Sequence, residues 1–149
     1  MSLQIQINED IKTAMKAKDA MALEALRAVK SVILLAMTED GAKESLTEDE
    51  EIKILQRLVK QRKDSAAIYI QQNRSDLAQP ELDQAAIIEK YLPKQLTEAE
   101  VEKIVSEVIA SNGLSGMAAM GQVMGIVSKE LAGQADGKTI SSVVKKLLS

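Results

Sequence analysis

The chain has 149 residues, 28% of them charged, with a formal net charge of −3. It contains no Cys, His, Phe or Trp and two tyrosines, Tyr69 and Tyr91. These absences exclude disulfides, thiol nucleophiles, thiolate or imidazole metal sites and the usual general base near neutral pH, and the acidic balance leaves any RNA contact to a local patch.

The apolar share, 46%, is built from Leu, Ile, Val, Met and Ala alongside the two tyrosines. With abundant Glu and Lys, residues that lose little rotamer freedom in a helix, this composition predicts an all-α protein. The start, MSLQIQINEDIKTAMKAKD, lacks a basic stretch leading into an apolar core, and no run of about 18 apolar residues occurs. A cytoplasmic protein without a membrane span is expected.

Leu3, Ile5, Ile7, Ile11 and Met15 predict a first short helix, although the alternation over Leu3 to Ile7 permits an extended start. The polar stretch Lys16 to Asp19 breaks it, and Asp19 is placed to cap a second helix. There Leu23, Leu26, Val29, Val32, Ile33 and Met37 recur at three- and four-residue steps, a helix of about five turns ended by Gly41. The segment GAKESL is a loop. Thr47 and Glu50 form a capping box for a third helix. Its face is Ile52, Leu55, Leu58 and Val59, and the helix runs to about residue 72, where Asn73 ends it in a left-handed conformation. Lys53, Arg57, Lys60 and Lys63 line another face.

Ser75 is placed to cap a fourth helix. Pro80 predicts a short turn first and a helix proper from near Pro80, with Leu82, Ala86, Ile87 and Tyr91 as its face. Pro93 stops that helix, and residues 91–96, YLPKQL, are the domain boundary: a four-helix unit over 1–93 and a three-helix unit over 94–149. A second capping box, Thr97 and Glu100, starts a helix with the stripe Val101, Ile104, Val105, Val108 and Ile109. Residues 111–113, SNG, end it. Ser115 then caps a helix through about Ala132, Gly133 ends that one, and Asp136 caps the last, whose Ile140, Val143, Val144, Leu147 and Leu148 form an amphipathic face.

Most motif matches yield to plainer accounts. Gly137-Lys138-Thr139 ends like a phosphate loop, but Ala132 stands where that motif needs glycine and no strand precedes it. Ser142 and Lys145 match S-x-x-K without its companion elements, so they read as an exposed helical face. The acidic runs Glu48 to Glu51 and Glu98 to Glu102 sit in first helical turns, where negative charge suits the macrodipole, and no metal site is expected. The Lys53/Arg57/Lys60/Lys63 stripe with Arg62 is the best basic feature. It is either a solvated face or a phosphate contact.

The stretch GMAAMGQVMG, Gly116 to Gly125, carries a stripe of Met117, Met120 and Met124 continued by Val127 and Leu131, which reads as core. Beside it lie Ala118, Gly121, Gly125, Ser128 and Ala132, all small. Two mid-helix glycines cost about 1 kcal/mol each relative to Ala. Close packing of another helix, an RNA backbone or a partner chain would each offset that cost.

Arg74-Ser75-Asp76-Leu77, the YLPKQL segment with Thr97, Met120-Gly121-Gln122-Val123-Met124-Gly125 and Ala135-Asp136-Gly137-Lys138 occur in the order found in the GatB/YqeY family. The Met1-Ser2-Leu3 start and Gln61-Arg62-Lys63-Asp64-Ser65 agree. Over its full length the chain resembles the small bacterial YqeY-like proteins. The resemblance implies a helical N-terminal domain and a three-helix C-terminal domain similar to the tail of the amidotransferase B subunit. In that enzyme, which converts misacylated Glu-tRNA(Gln) or Asp-tRNA(Asn), the tail helps hold tRNA. The family carries the label carbon–nitrogen ligase with glutamine as amido donor, yet this chain matches the tail and not the catalytic cradle. Gln134 departs from the Arg of many relatives, removing a natural phosphate contact. The expectation is a non-catalytic module without cofactor that binds tRNA or a tRNA-handling protein, through Gly121, Gly125, Lys129, Gly137, Lys138 and Lys145, with Lys146 nearby. The second expectation is a protein-interaction adaptor. An amidotransferase in its own right would need Ser142 activated by Lys145.

Overall fold

The computed structural model describes residues 2–39 and 44–149. The expected end of the second helix at Gly41, and the first part of the GAKESL loop, lie outside the described residues. Among the described residues there are seven α-helices, one 3₁₀ turn and no strand. They fall into two compact units, Met1–Leu92 and Pro93–Ser149. Each unit has its own apolar core.

The first unit holds α1 (Leu3–Ala17), α2 (Ala20–Glu39), α3 (Glu48–Gln71) and α4 (Ser75–Glu89). The alternation at the start does not give an extended segment. Ser2 accepts the Ile5 N–H, and Glu51 of α3 accepts the Leu3 N–H at 2.9 Å, so helical geometry begins at Leu3. Leu3 and Ile7, one turn apart, are then buried while Ile5 is 54% exposed. Lys18, at φ 56°, closes α1, and Asp19 accepts the Ala22 N–H at 3.0 Å to start α2. Ala25, Leu26, Val29 and Ile33 are the buried face of α2.

The capping box of Thr47 and Glu50 is formed, and Asn73 at φ 62° follows the end of α3. The buried face of α3 is Ile54, Leu55, Leu58, Val59 and Ala66, with Ile52 only half-buried. Two expectations for the next helix fail. Ser75 is not a cap: it is the first helical residue, and Arg74 before it makes no side-chain cap. Nor does Pro80 delay the helix, which runs unbroken through it. Proline lacks only the N–H that would reach Asp76, and both residues are exposed, so water can serve that carbonyl. The buried face is also shifted, to Ala78, Gln84, Ala85 and Ile88, leaving Leu82 37% exposed and Ala86 exposed. The reason is the close approach of α3 to α4; Ala66 on α3 and Ala78 and Ala85 on α4 are all buried. Arg62 seals this seam, donating to Gln84 Oε1 at 3.0 Å and to the Leu58 carbonyl at 3.1 Å.

Tyr91, just past α4, donates its hydroxyl to Asp10 Oδ2 on α1. Burial first, then the bond to Asp10 and its charge, hold the phenol well above its ordinary 10.0. A group whose folded pKa is raised contributes stability below its unfolded pKa and loses it as pH climbs toward the folded value. We therefore expect Tyr91→Phe to cost about 1 kcal/mol at neutral pH. The variant should also lose less stability than the parent once pH exceeds 10.0. Urea midpoints taken on both sides of that pH check this.

The second unit holds α5 (Glu98–Ser111), a 3₁₀ turn (Met117–Ala119), α6 (Met120–Glu130) and α7 (Gly137–Leu148). The Thr97–Glu100 capping box is formed, and Thr97 holds the Glu100 carboxyl below its ordinary range through its backbone N–H and its hydroxyl. Val101, Val105 and Val108 are buried, and Gly113 at φ 61° supplies the left-handed turn after α5. Ser115 does not start a helix. Gly116 follows at φ 75°, outside helical geometry, so the chain enters through the 3₁₀ turn and α6 begins only at Met120. It ends at Glu130, before Ala132.

Candidate functional site

The core stripe of α6 is Val123 and Val127, with Leu131 just beyond it, all buried. Met120 and Met124 are packed at its edge, and Met117 is 45% exposed, so methionine borders this core and does not fill it. The opposite side of the helix carries Gly121, Gly125 and Lys129 at four-residue steps, all exposed. A Cβ built on Gly121 or Gly125 meets nothing within 4 Å. Among the described residues of the second unit no helix is packed on the glycine ridge, so packing within that unit does not account for it. Instead the ridge opens a shallow depression of about 530 Å³ lined by Gly121, Gln122, Gly125, Ile126, Lys129 and Glu130. Gln122, Ile126 and Glu130 were not anticipated; their signal is a second row at four-residue spacing beside the glycines.

This geometry gives a direct expectation. Gly121→Ala and Gly125→Ala each stabilise the unit by about 0.5–1 kcal/mol, because the added methyl meets no neighbour and the helix gains propensity. Urea unfolding checks it; a loss of stability would show that something packs there.

Asp136 caps α7, accepting the Thr139 N–H at 2.6 Å. Gly137, the first helical residue, is likewise open to 4 Å. Ile140, Val143, Val144 and Leu148 are buried, which turns Lys138, Ser142 and Lys145 outward together. Gly137, Lys138 and Lys145 do not line the α6 depression. Lys146 is engaged: its ammonium lies 2.7 Å from Glu102 on α5, which raises its pKa. Lys129, Lys138 and Lys145 have no ion pair among the described residues. The turn before α7 is tied down, with the Gln134 carbonyl accepting the Leu96 N–H at 2.9 Å and the Gly133 carbonyl accepting Gln95 Nε2 at 2.6 Å.

On α3 the basic stripe is shorter than its sequence spacing implies. Lys53, Arg57 and Lys60 are exposed, but Lys63 is held by Glu89 at 2.5 Å. Ser142 and Lys145 are both exposed, and no hydrogen bond joins them among the described residues. Among those residues no group of three or more His, Cys, Asp or Glu could hold a metal ion, and no helix is long and apolar enough to cross a membrane.

A family model described as Yqey-like protein matches residues 4–148. The chain belongs to this family. Among its relatives is "Altered inheritance of mitochondria protein 41, mitochondrial" of Clavispora lusitaniae, 40% identical over 91 residues, 61% of this chain and 52% of that protein. The protein of the same description from Pyrenophora tritici-repentis is 26% identical over 147 residues, 96% of this chain and 79% of its own length. The E subunit of the glutamyl-tRNA(Gln) amidotransferase of Thermococcus gammatolerans is 39% identical over 71 residues, 45% of this chain but 11% of that protein. The match thus spans about half of the first relative and about a tenth of the amidotransferase chain.

Proposed function

We propose that this chain is a non-catalytic module that binds tRNA through the second unit. The observation that carries this reading is the open glycine ridge of α6 ending in Lys129. A backbone there can be approached closely, and among the described residues no ion pair neutralises the cation beside it. Exposed Lys138 and Lys145 on α7 add two further phosphate partners, which position but do not specify. The similarity to an amidotransferase chain whose name contains tRNA supports the ligand class. Glu130 in the same depression opposes phosphate and limits the affinity. Lys53, Arg57 and Lys60 on α3 form a secondary contact in this reading.

Titration with tRNA at several salt concentrations tests it. Affinity must fall with salt by about 0.7–0.9 log units per log unit for each phosphate contact. No binding at low salt ends the reading.

The same open ridge favours one other account, an adaptor that seats a partner helix on Gly121 and Gly125 without RNA. Nuclease treatment separates the two, since an adaptor keeps its partner afterwards. Gly121→Leu should then abolish partner capture while far-UV helicity stays.

A further inference from the structure

The first unit contains a cleft that the tRNA reading leaves unused. It has a volume of about 290 Å³ and is lined by Ile5, Ile33, Met37 and Leu46 together with Glu44 and Glu51. Ile5 is 54% exposed, and Leu34, beside Ile33 on α2, is 44% exposed, so apolar surface continues outside the cleft. Both charged lining residues are acidic, and among the described residues no Lys or Arg lines it. Glu51 is fixed in place by the Leu3 N–H at 2.9 Å, and Glu48 and Asp49 add negative charge in the same turn of α3.

Two magnitudes narrow the occupant. The volume lies just below the roughly 300–1,000 Å³ of sites that enclose a whole small molecule, which suits one or two aliphatic anchors instead. The charge of the described lining residues disfavours phosphate and favours a cation. We propose that the cleft docks a basic amphipathic helix of a partner protein. An aliphatic side chain of that helix seats among Ile5, Ile33, Met37 and Leu46, and a Lys or Arg faces Glu44 and Glu51.

The test uses the full chain and a labelled synthetic amphipathic helix with leucines on one face and lysines on the other, read by fluorescence anisotropy. A matched peptide with glutamates for lysines is the control. The lysine peptide binds saturably, and the glutamate peptide binds at least about tenfold more weakly. Met37→Lys, which puts a like charge on the cleft wall, weakens the lysine peptide by about tenfold or more. Glu44→Gln weakens it about two- to fivefold, the range for one partly exposed ion pair. Should Met37→Lys lose its far-UV signal, Ile5→Lys takes its place, since that side chain is already half in solvent. Unchanged binding to the folded lysine variant, equal binding of both peptides, or a response that never saturates would each overturn the proposal. The salt titration with tRNA reads the other unit and stands or falls separately.

Discussion

Ile88→Ala lowers the unfolding transition of the first unit by about 2–5 kcal/mol, or about 10 °C or more, and leaves that of the second unit in place. Ile88 is 0% exposed and lies in the core built by Ile7, Leu26, Val29, Leu55 and Leu58. Removing most of its side chain forfeits burial and leaves a cavity that surrounding helices close only in part. The core of Pro93–Ser149 is made from other residues, among them Val105, Val127 and Val144, and shares none with the first. Val144→Ala therefore has the opposite selectivity. Calorimetry of the full chain checks both variants. A single transition displaced as a whole by either variant would show that the two cores melt together.

Replacing Lys129, Lys138 and Lys145 together by alanine reduces the salt dependence of tRNA binding by about two to three log units per log unit, if each makes one phosphate contact. At low salt the loss of affinity is about tenfold or more, because three charges on exposed faces disappear without disturbing a buried group. The same replacement at Lys53, Arg57 and Lys60 should lower the slope by less, as expected of a secondary contact, since Lys63 is already committed to Glu89 and the stripe is short. Equal losses from both triples would move the principal site to α3. No loss from either would remove phosphate contact by these lysines from the account.

Helical class and four of the caps were legible in the sequence because they depend on neighbours a few residues apart; the caps expected at Ser75 and Ser115 did not form. Both Thr–x–x–Glu boxes, Asp19 and Asp136 all act within three positions. Which face of a helix turns inward is a tertiary matter, and there large residues misled. Leu82 and Met117 outweigh Ala78 and Val123 in size, yet close helix contact at the α3–α4 seam selects alanine, and the short α6 aims Val123 inward. The start of α6 was missed because one left-handed glycine, Gly116, overrides a good cap at Ser115. The candidate site was half legible. The glycines and lysines stood out by spacing, but only the structure distinguishes a ridge packed by a neighbour from one open to solvent, or an outward Lys145 from an engaged Lys146.

The bond from Tyr91 to Asp10 has one more consequence. Tyr69 and Tyr91 both belong to Met1–Leu92, and the chain has no Phe or Trp, so every chromophore of the near ultraviolet sits in that unit. Intrinsic emission is a private reporter of the first unit, and a phenol held by a carboxylate is quenched by proton transfer in the excited state. Opening of α1 from Tyr91 brightens the protein. The second unit contributes no tyrosine emission of its own.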